Sequence, residues 1–153
     1  MKKELIIMAG LPGSGKSTVR NEKFANYDVV DCDEIKKTIK GYDPLNPGAV
    51  HKESKKIEKR LLLENIINGK SFVYDTTASN AERIVKLIID AQSEGYEVTI
   101  CYIKVKLQTA IYRNANRERV VPEEIIREKY AVMSTAIEIF SGYADKLIVV
   151  NND

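Results

Sequence analysis

A glycine-rich segment, residues 10–17 with the sequence Gly-Leu-Pro-Gly-Ser-Gly-Lys-Ser, carries the strongest chemical signal in the chain. It has the Gly-x4-Gly-Lys-Ser/Thr spacing of a phosphate-binding loop. The glycines let the backbone turn tightly, so that successive N–H groups point into one concavity at the positive end of the following helix. Lys16 would reach the β- and γ-phosphates, and the Ser17 hydroxyl would ligate Mg²⁺. The spacing predicts a site for a nucleoside triphosphate whose contacts are Gly13, Ser14, Gly15, Lys16, Ser17 and Thr18.

The segments on either side of this loop have the patterns that a phosphate-binding loop requires. Residues 5–9 are a short apolar run typical of a buried strand, and residues 18–25 can continue as a helix. A strand, a glycine-rich loop and a helix form the context in which the motif binds phosphate. A glycine turn that happens to precede Lys-Ser is the alternative, and it would need neither flank.

Carboxylates follow two further strand candidates. Asp33 comes just after the apolar segment 27–31, and a hydroxyl that attacks a γ-phosphate needs a carboxylate to accept its proton, so Asp33 is the predicted general base. Asp31 is the competing base, and Asp33 could also serve as a helix N-cap. Asp75 ends the strand candidate 71–74, where a carboxylate would lie near Mg²⁺ or the acceptor. Its alternative role is that of a turn residue.

Three arginines, Arg113, Arg117 and Arg119, precede the Val-Val-Pro sequence that ends at Pro122. Arg113 and Arg117 are four residues apart and share a helix face. They could belong to a lid around residues 113–122 that closes over the transferring phosphate and stabilises its charge. The alternative is a solvated helix end, where arginine suits the helix dipole.

Two further basic features lie on the acceptor side of the predicted site. Lys36 is one helical turn beyond Asp33 and could hold a phosphate of the acceptor, or it could be an ordinary surface lysine. A second group, interleaved with Glu53 and Glu58, consists of Lys52, Lys55, Lys56, Lys59 and Arg60. This pattern is more typical of a solvated helix face than of a track for nucleic acid, and both interpretations stay open.

The candidate residues need a fold that brings them together. Apolar runs predict five strands at 5–9, 27–31, 71–74, 98–105 and 146–150, with helical patterns between them. Ser79 is the predicted cap of the helix that Gly95 ends. Strands that alternate with helices imply right-handed crossovers and a parallel sheet covered on both faces, an α/β fold. Sites in such folds lie at the carboxyl ends of the strands, so the glycine-rich loop and the predicted acids should converge.

Length and composition describe one ordinary domain of 153 residues. With 44% hydrophobic and 30% charged residues, the chain is typical of globular proteins. The net charge of +2 neither requires nor excludes a nucleic-acid partner. Cys32 and Cys101 suggest buried thiols rather than a disulfide or a metal pair. The first apolar run is too short for export or for spanning a membrane, so we expect a cytoplasmic protein without a membrane partner.

The order of these motifs resembles two related kinase families. The residues that carry the resemblance are Gly-x-Pro-Gly-Ser-Gly-Lys-Ser-Thr, Asp33-Glu34-Ile35-Lys36, Asp75-Thr76-Thr77, Arg113-Asn-Ala-Asn-Arg117 and Val121-Pro122. They are similar to the kinase domain of bacteriophage polynucleotide 5′-hydroxyl kinase, and equally to the zeta-toxin kinases, which phosphorylate UDP-N-acetylglucosamine. The resemblance spans nearly the whole chain. It implies a P-loop NTPase fold of the nucleotide-kinase type, a three-layer sandwich with the sheet order 2-3-1-4-5.

The resemblance also implies roles for individual residues. Asp33 corresponds to the base that deprotonates the acceptor hydroxyl, and Asp75 to an aspartate at the end of the third strand. Arg113 and Arg117 correspond to lid arginines near the triphosphate. Lys36 falls where polynucleotide kinase has an arginine on the acceptor phosphate, and lysine there loses the bidentate geometry. The segment 41–48 and the basic helix after it look more like the zeta-toxin side.

Together these observations predict a single kinase domain over residues 1–153 that uses ATP or GTP with Mg²⁺. Its catalytic residues would be Lys16, Asp33 and Arg117. The first expectation for the acceptor is the 5′-hydroxyl of a polynucleotide, and the alternative is the sugar nucleotide UDP-N-acetylglucosamine. No obligate protein partner is evident. A hypothesis of another class is an NTP-hydrolysing switch or ATPase module, which would not need a carboxylate on the acceptor side.

Overall fold

Strands and helices alternate along the computed structural model, which describes residues 2–78, 80–117 and 120–153. The strands are β1 (Lys3–Ala9), β2 (Asp28–Asp31), β3 (Phe72–Asp75), β4 (Tyr96–Lys104) and β5 (Lys146–Asn151). The helices are α1 (Lys16–Lys23), α2 (Cys32–Lys37), α3 (His51–Ile67), α4 (Ala81–Ser93), α5 (Leu107–Ala115) and α6 (Glu123–Ser141). A 3₁₀ turn, Pro47–Val50, leads into α3.

The five strands form one parallel sheet in the order β2-β3-β1-β4-β5, which confirms the order implied by the resemblance. β1 lies in the centre, between β3 and β4. The register pairs Met8 with Asp75 and Asp75 with Asp31. The carboxyl ends of β1, β2 and β3 therefore meet at one edge of the sheet, directly beside the glycine-rich loop that follows Ala9.

Side chains of β1 alternate between two hydrophobic cores, one on each face of the sheet. Leu5 and Ile7 belong to the larger core, to which helices α2 to α6 contribute apolar residues. Ile6 and Met8 point to the smaller core, where α1 contributes Val19. The strand is apolar on both faces because both faces are covered, as predicted.

Some element ends differ from the predicted ones. β1 and β4 each begin two residues earlier than predicted, because Lys3 pairs with Tyr96 in the parallel ladder. The helix that follows the Val-Val-Pro sequence begins at Glu123, and Pro122 is its N-cap with an extended backbone (ψ 135°). The side chain of Asn80 caps α4 by accepting a hydrogen bond from the N–H of Arg83. The cap predicted at Ser79 lies outside the described residues.

Neither cysteine forms a disulfide in the structure. Cys101 is a buried free thiol and Cys32 is a half-buried one. In the part of the chain that the structure describes, no helix combines the length and the apolar character needed to cross a membrane.

Candidate active site

The glycine-rich loop between β1 and α1 is shaped by two glycines with left-handed backbones. Gly13 has φ 85° and Gly15 has φ 86°, a conformation that residues with a Cβ rarely adopt. A Cβ at Gly13 would also overlap the carbonyl oxygen of Ala110, because α5 packs directly behind the loop. α1 starts at Lys16 without a side-chain cap, so no N-cap side chain occupies its first N–H groups. This arrangement can bind an anion.

Lys16 lies at the mouth of the loop and faces the end of β3. Its ammonium nitrogen is 3.0 Å from a carboxylate oxygen of Asp75 and 3.0 Å from the carbonyl oxygen of Thr76. Both side chains are largely shielded from solvent, with exposed fractions of 16% for Lys16 and 4% for Asp75. The lysine that would bind phosphate is therefore fixed in place by the neighbouring strand.

Arg20, which the sequence analysis missed, links the ends of two strands. Its Nη1 atom is 2.9 Å from Asp31 and 2.6 Å from Asp75. Burial lowers the pKa of Arg20, but the two carboxylates outweigh this effect and the net shift is upward. Burial and the charge of Asp75 raise the pKa of Asp31. The spacing of four residues from Lys16 places Arg20 on the same face of α1, and this was the only signal for it in the sequence.

The structure shows which of the two aspartates, Asp31 or Asp33, caps α2. The carboxylate of Asp31 accepts hydrogen bonds from the backbone N–H groups of Asp33 (2.9 Å) and Glu34 (3.4 Å), so Asp31 is the N-cap of α2. The alternative in which Asp33 is the N-cap is therefore wrong. Asp33 stands in the first helical turn and lines the cleft in front of the loop. Lys36, half-buried one turn later, lines the same cleft.

Lys129 of α6 brings a further cation to this wall of the cleft, and sequence reasoning did not find it. Burial, together with the charges of Lys16 and Lys55, lowers the pKa of Lys129, and the negative charge of Asp33 acts in the opposite direction. Cations from α1, α3 and α6 thus converge on the space next to Asp33. Nothing in the spacing of Lys129 along α6 distinguished it from a surface lysine.

Two of the arginines predicted to belong to a lid lie close to the glycine-rich loop or the cleft, and the lid itself stays a prediction. Arg113 on α5 donates a hydrogen bond to the carbonyl of Ser14 at 3.3 Å, so it reaches the loop, and Arg117 lines the cleft. Arg119 lies outside the described residues. Asn114, which is buried, ties down the segment before α6: its side chain donates to the carbonyl of Val121 at 2.6 Å and accepts from the N–H of Val121 at 3.0 Å.

A buried carboxylate, Glu58 of α3, contacts two of the cations that line the cleft. Sequence reasoning did not identify it. It forms an ion pair with Arg83 and accepts a hydrogen bond from the hydroxyl of Tyr74, and it lies 3.3 Å from Lys55. Burial raises the pKa of Glu58, but the bonds from Tyr74 and Cys32 and the two cations shift it below its ordinary value. Arg83 and Lys55 both line the cleft, so Glu58 fixes two cations at its edge.

Most of these charged groups line one cleft of about 1370 Å³, whereas Arg20 and Glu58 lie behind the lining and contact residues that belong to it. Among the described residues, seven cationic side chains and four carboxylates line the cleft, so this lining is suited to a ligand with several negative charges. The cations are Lys16, Lys36, Lys55, Arg83, Arg113, Arg117 and Lys129. The other basic residues of the α3 group, Lys52, Lys56, Lys59 and Arg60, are exposed and are not part of this lining.

The donors available for Mg²⁺ are hard oxygens. Ser17, in the first turn of α1, and Asp75, at the end of β3, both line the cleft beside Lys16. Among the described residues, no three His, Cys, Asp or Glu side chains gather into a metal cage. Mg²⁺ that accompanies a nucleotide takes one or two protein ligands and completes its shell with phosphate oxygens and water, and Ser17 and Asp75 fit that demand.

The whole chain, residues 1–153, matches the profile of the Zeta toxin family. Among solved structures it is similar to the PezAT chromosomal toxin-antitoxin system of Streptococcus pneumoniae, with a TM-score of 0.77 and 16% identity over 99% of this chain and 68% of that chain. For AvrRxo1-ORF1:-ORF2 with ATP, the TM-score is 0.75 and the identity 19%, over 93% of this chain and 51% of that chain.

A third similar structure is shikimate kinase from Acinetobacter baumannii in complex with shikimate, with a TM-score of 0.61 and 17% identity over 99% of this chain and 86% of that chain. Identities of 16–19% show a shared fold and nothing finer. This chain spans about half the length of the AvrRxo1 chains that it matches. The fold is that of the P-loop kinases.

Proposed function

Because this chain belongs to the zeta toxin family and is an ATP-dependent kinase by family and fold, we propose that it transfers the γ-phosphate of ATP to a hydroxyl group of a small, phosphorylated acceptor. The observation that supports this best is that Lys16, Asp33 and Asp75 line the same cleft, and that cations outnumber carboxylates among the described residues of its lining. One side of this cleft is built for a triphosphate, and the other side offers a carboxylate and separate cations to a second substrate.

On the donor side, the loop amides and the uncapped start of α1 surround the β- and γ-phosphates. Lys16 moves from Asp75 to the phosphates, and Arg113 and Arg117 neutralise the charge that spreads over the transferred group. GTP could occupy the same phosphate positions, and our proposal names ATP because a structure of similar fold, AvrRxo1-ORF1:-ORF2, was solved with ATP.

Mg²⁺ supplies charge neutralisation between the β- and γ-phosphates when it is bound, and Ser17 with Asp75 would hold it. The protein residues perform the remaining work by positioning. Asp33 accepts the proton of the acceptor hydroxyl, and the cations around it hold the acceptor in line with the γ-phosphate.

On the acceptor side, the cations favour a compact anion. Lys36, Lys55 and Arg83 line the cleft, and Arg83 and Lys55 are oriented by the buried Glu58. The exposed lysines of α3 lie outside the lining, so the cations that face the interior of the cleft form a compact group. We therefore favour a sugar nucleotide such as UDP-N-acetylglucosamine, the acceptor that the zeta-toxin resemblance implies. The 5′-hydroxyl of a polynucleotide stays a prediction to be tested beside it.

The test uses γ-labelled ATP and Mg²⁺ with two acceptors in parallel, UDP-N-acetylglucosamine and a 5′-hydroxyl oligonucleotide. We expect label on the sugar nucleotide. Lys16→Ala should abolish the transfer, and Asp33→Asn should reduce it by about 10²–10⁴-fold, the usual contribution of general base catalysis. Lys23→Ala and Asp28→Asn, which make the same changes at exposed positions away from the cleft, are the matched controls and should leave the transfer intact.

Other outcomes would change the proposal in defined ways. Label on the oligonucleotide alone would replace the sugar nucleotide by a polynucleotide. Release of free phosphate without labelled acceptor, unaffected by Asp33→Asn, would favour the NTP-hydrolysing switch. The expectation that the chain needs no obligate protein partner also stays a prediction, and it should be examined because PezAT is a toxin-antitoxin system and AvrRxo1 was solved as a complex of two proteins.

A further inference from the structure

Asn152, which directly follows β5, contacts the glycine-rich loop. Its side-chain Nδ2 donates a hydrogen bond to the carbonyl oxygen of Ser14 at 2.7 Å. Arg113 donates to the same oxygen at the longer distance of 3.3 Å. A Cβ at Gly15 would collide with the amide of Asn152, so the loop and this side chain are in tight contact.

The carbonyl of Ser14 and the N–H of Gly15 belong to one planar peptide unit. In a trans peptide these two groups point in opposite directions, so a donor that fixes the oxygen also fixes the direction of the N–H. Every peptide bond in the described residues is trans. Ser14 is completely buried, and a buried carbonyl without a donor is costly. The hydrogen bond from Asn152 therefore selects the orientation of the N–H of Gly15.

Asn152 is itself fixed by the sheet and by α5. Its backbone N–H donates to the carbonyl of Lys104 at 2.9 Å, which continues the pairing of β4 with β5. The next residue, Asp153, accepts a hydrogen bond from the N–H of Lys106 at 2.6 Å. Lys106 is the N-cap of α5, the helix that carries Arg113. The same short segment thus fixes the loop and the helix behind it.

We propose that Asn152 is a positioning residue for triphosphate binding, and this proposal rests on the proposed function of the loop. Asn152 holds the peptide between Ser14 and Gly15 so that the N–H of Gly15 faces the phosphates. Because its bond to Ser14 is the shorter of the two, it keeps the peptide in place when Arg113 leaves Ser14 to contact the triphosphate.

The test measures equilibrium binding of ATP and of inorganic tripolyphosphate to the full chain by calorimetry. Asn152→Asp keeps the size of the side chain and removes the donor. We expect both ligands to bind about tenfold more weakly, which is the effect of losing a hydrogen bond to a buried group. Asn151→Asp makes the same change at the adjacent, exposed residue and should bind both ligands like the wild type. Asn152→Ala removes the donor without adding charge and should behave like Asn152→Asp, so it decides the question if the aspartate variant does not fold.

Two results would overturn the proposal. If ATP binds more weakly but tripolyphosphate does not, Asn152 acts on the nucleoside and not on the phosphate loop. If neither ligand is affected in a folded variant, the bond to Ser14 has no role in binding. Wild-type affinity for both ligands in Lys16→Ala would instead contradict the proposed function of the loop, whatever Asn152 does.

Discussion

The ammonium group of Lys16 lies 3.0 Å from the carboxylate of Asp75, so the lysine that we propose to bind phosphate has an anionic partner within the protein. The other carboxylate oxygen of Asp75 contacts Arg20. A triphosphate must therefore compete with Asp75 for Lys16. In our proposal Lys16 moves to the phosphates while Asp75 keeps Arg20 as a partner, and the carboxylate oxygen that Lys16 releases becomes available to Mg²⁺ or to a water of its shell.

Asp75→Asn should separate nucleotide binding from phosphoryl transfer. The amide cannot replace the carboxylate in neutralising or orienting Mg²⁺, so we expect the transfer rate to fall by about 10²–10³-fold. ATP binding without Mg²⁺ should be unchanged or tighter, because the competitor for Lys16 is gone. Binding measured with and without Mg²⁺, together with the rate of transfer, checks both parts. Asp90→Asn on the exposed face of α4 is the control. If Asp75→Asn but not Asp90→Asn bound ATP more weakly in the absence of Mg²⁺, Asp75 would not compete with the triphosphate for Lys16.

Arg20→Ala should destabilise the protein in a way that depends on pH. The pKa of Asp31 is raised above its ordinary value of 3.8 even with Arg20 present, so the folded state holds this proton more tightly than the unfolded state does. Ionisation of Asp31 therefore reduces stability as the pH rises above 3.8. Without Arg20 the pKa rises further. We expect a loss of about 3 kcal/mol at pH 7, the usual cost of breaking a largely buried ion pair.

Denaturant unfolding at several pH values measures this effect. The loss in Arg20→Ala should shrink as the pH is lowered from 7 towards 4, because Asp31, whose pKa is raised, can then be protonated. Arg127→Ala removes an exposed ion pair with Glu123 and should change the free energy of unfolding by less than about 1 kcal/mol. A loss in Arg20→Ala that stays constant over this pH range would show that the carboxylates do not cause it.

Local patterns in the sequence were sufficient to predict the five parallel strands, the helices between them and the position of the glycine-rich loop after β1. The spacing of the glycines around Lys16 is dictated by the phosphate loop itself, and the apolar run before it has to be a central strand. Asp33 and Asp75 follow strand ends, and parallel strands bring such ends together. The sheet order required the family resemblance, because composition and periodicity do not specify which strands are neighbours.

Residues that act through distant partners could not be predicted in this way. Asn152 meets Ser14 across 138 positions of sequence, and Glu58 meets Arg83 across 25. Each of them is a common polar residue in an element whose pattern is explained without it. Their roles depend on the tertiary structure, because the register of β5 and the position of α3 beside β3 determine which side chains are in contact.

Gly13→Ala should abolish nucleotide binding, whereas Gly41→Ala should not. Both glycines have a left-handed backbone, with φ 85° and 95°, so both substitutions cost about 1 kcal/mol in backbone strain. At Gly13 the new Cβ also meets backbone, the carbonyl of Ala110, whereas a Cβ at Gly41 has no described atom within 4 Å apart from its own residue and its chain neighbours. Either the loop or α5 must move in Gly13→Ala. Comparing ATP affinity and free energy of unfolding in the two variants isolates the effect of this contact, and equal losses would show that strain alone is responsible.

Glu58→Gln should lower the free energy of unfolding and should also weaken binding of the acceptor. The pKa of Glu58 lies below its ordinary value of 4.5, so its ionised form stabilises the folded state above pH 4.5, and this stability is lost as the pH falls through the lower, folded-state pKa. We expect a loss of about 3 kcal/mol at pH 7, because Arg83 and Tyr74 lose their anionic partner. The difference from the wild type should narrow below pH 4.5.

In transfer assays, the KM for the acceptor should rise in Glu58→Gln while the KM for ATP stays constant, since Arg83 and Lys55 line the acceptor side of the cleft. Glu64→Gln, in an exposed pair with Arg60 on the same helix, is the matched control and should alter neither quantity. Equal increases in both KM values would mean that Glu58 supports the whole cleft. A pH-independent loss of stability would mean that its charge is not what holds the cluster together.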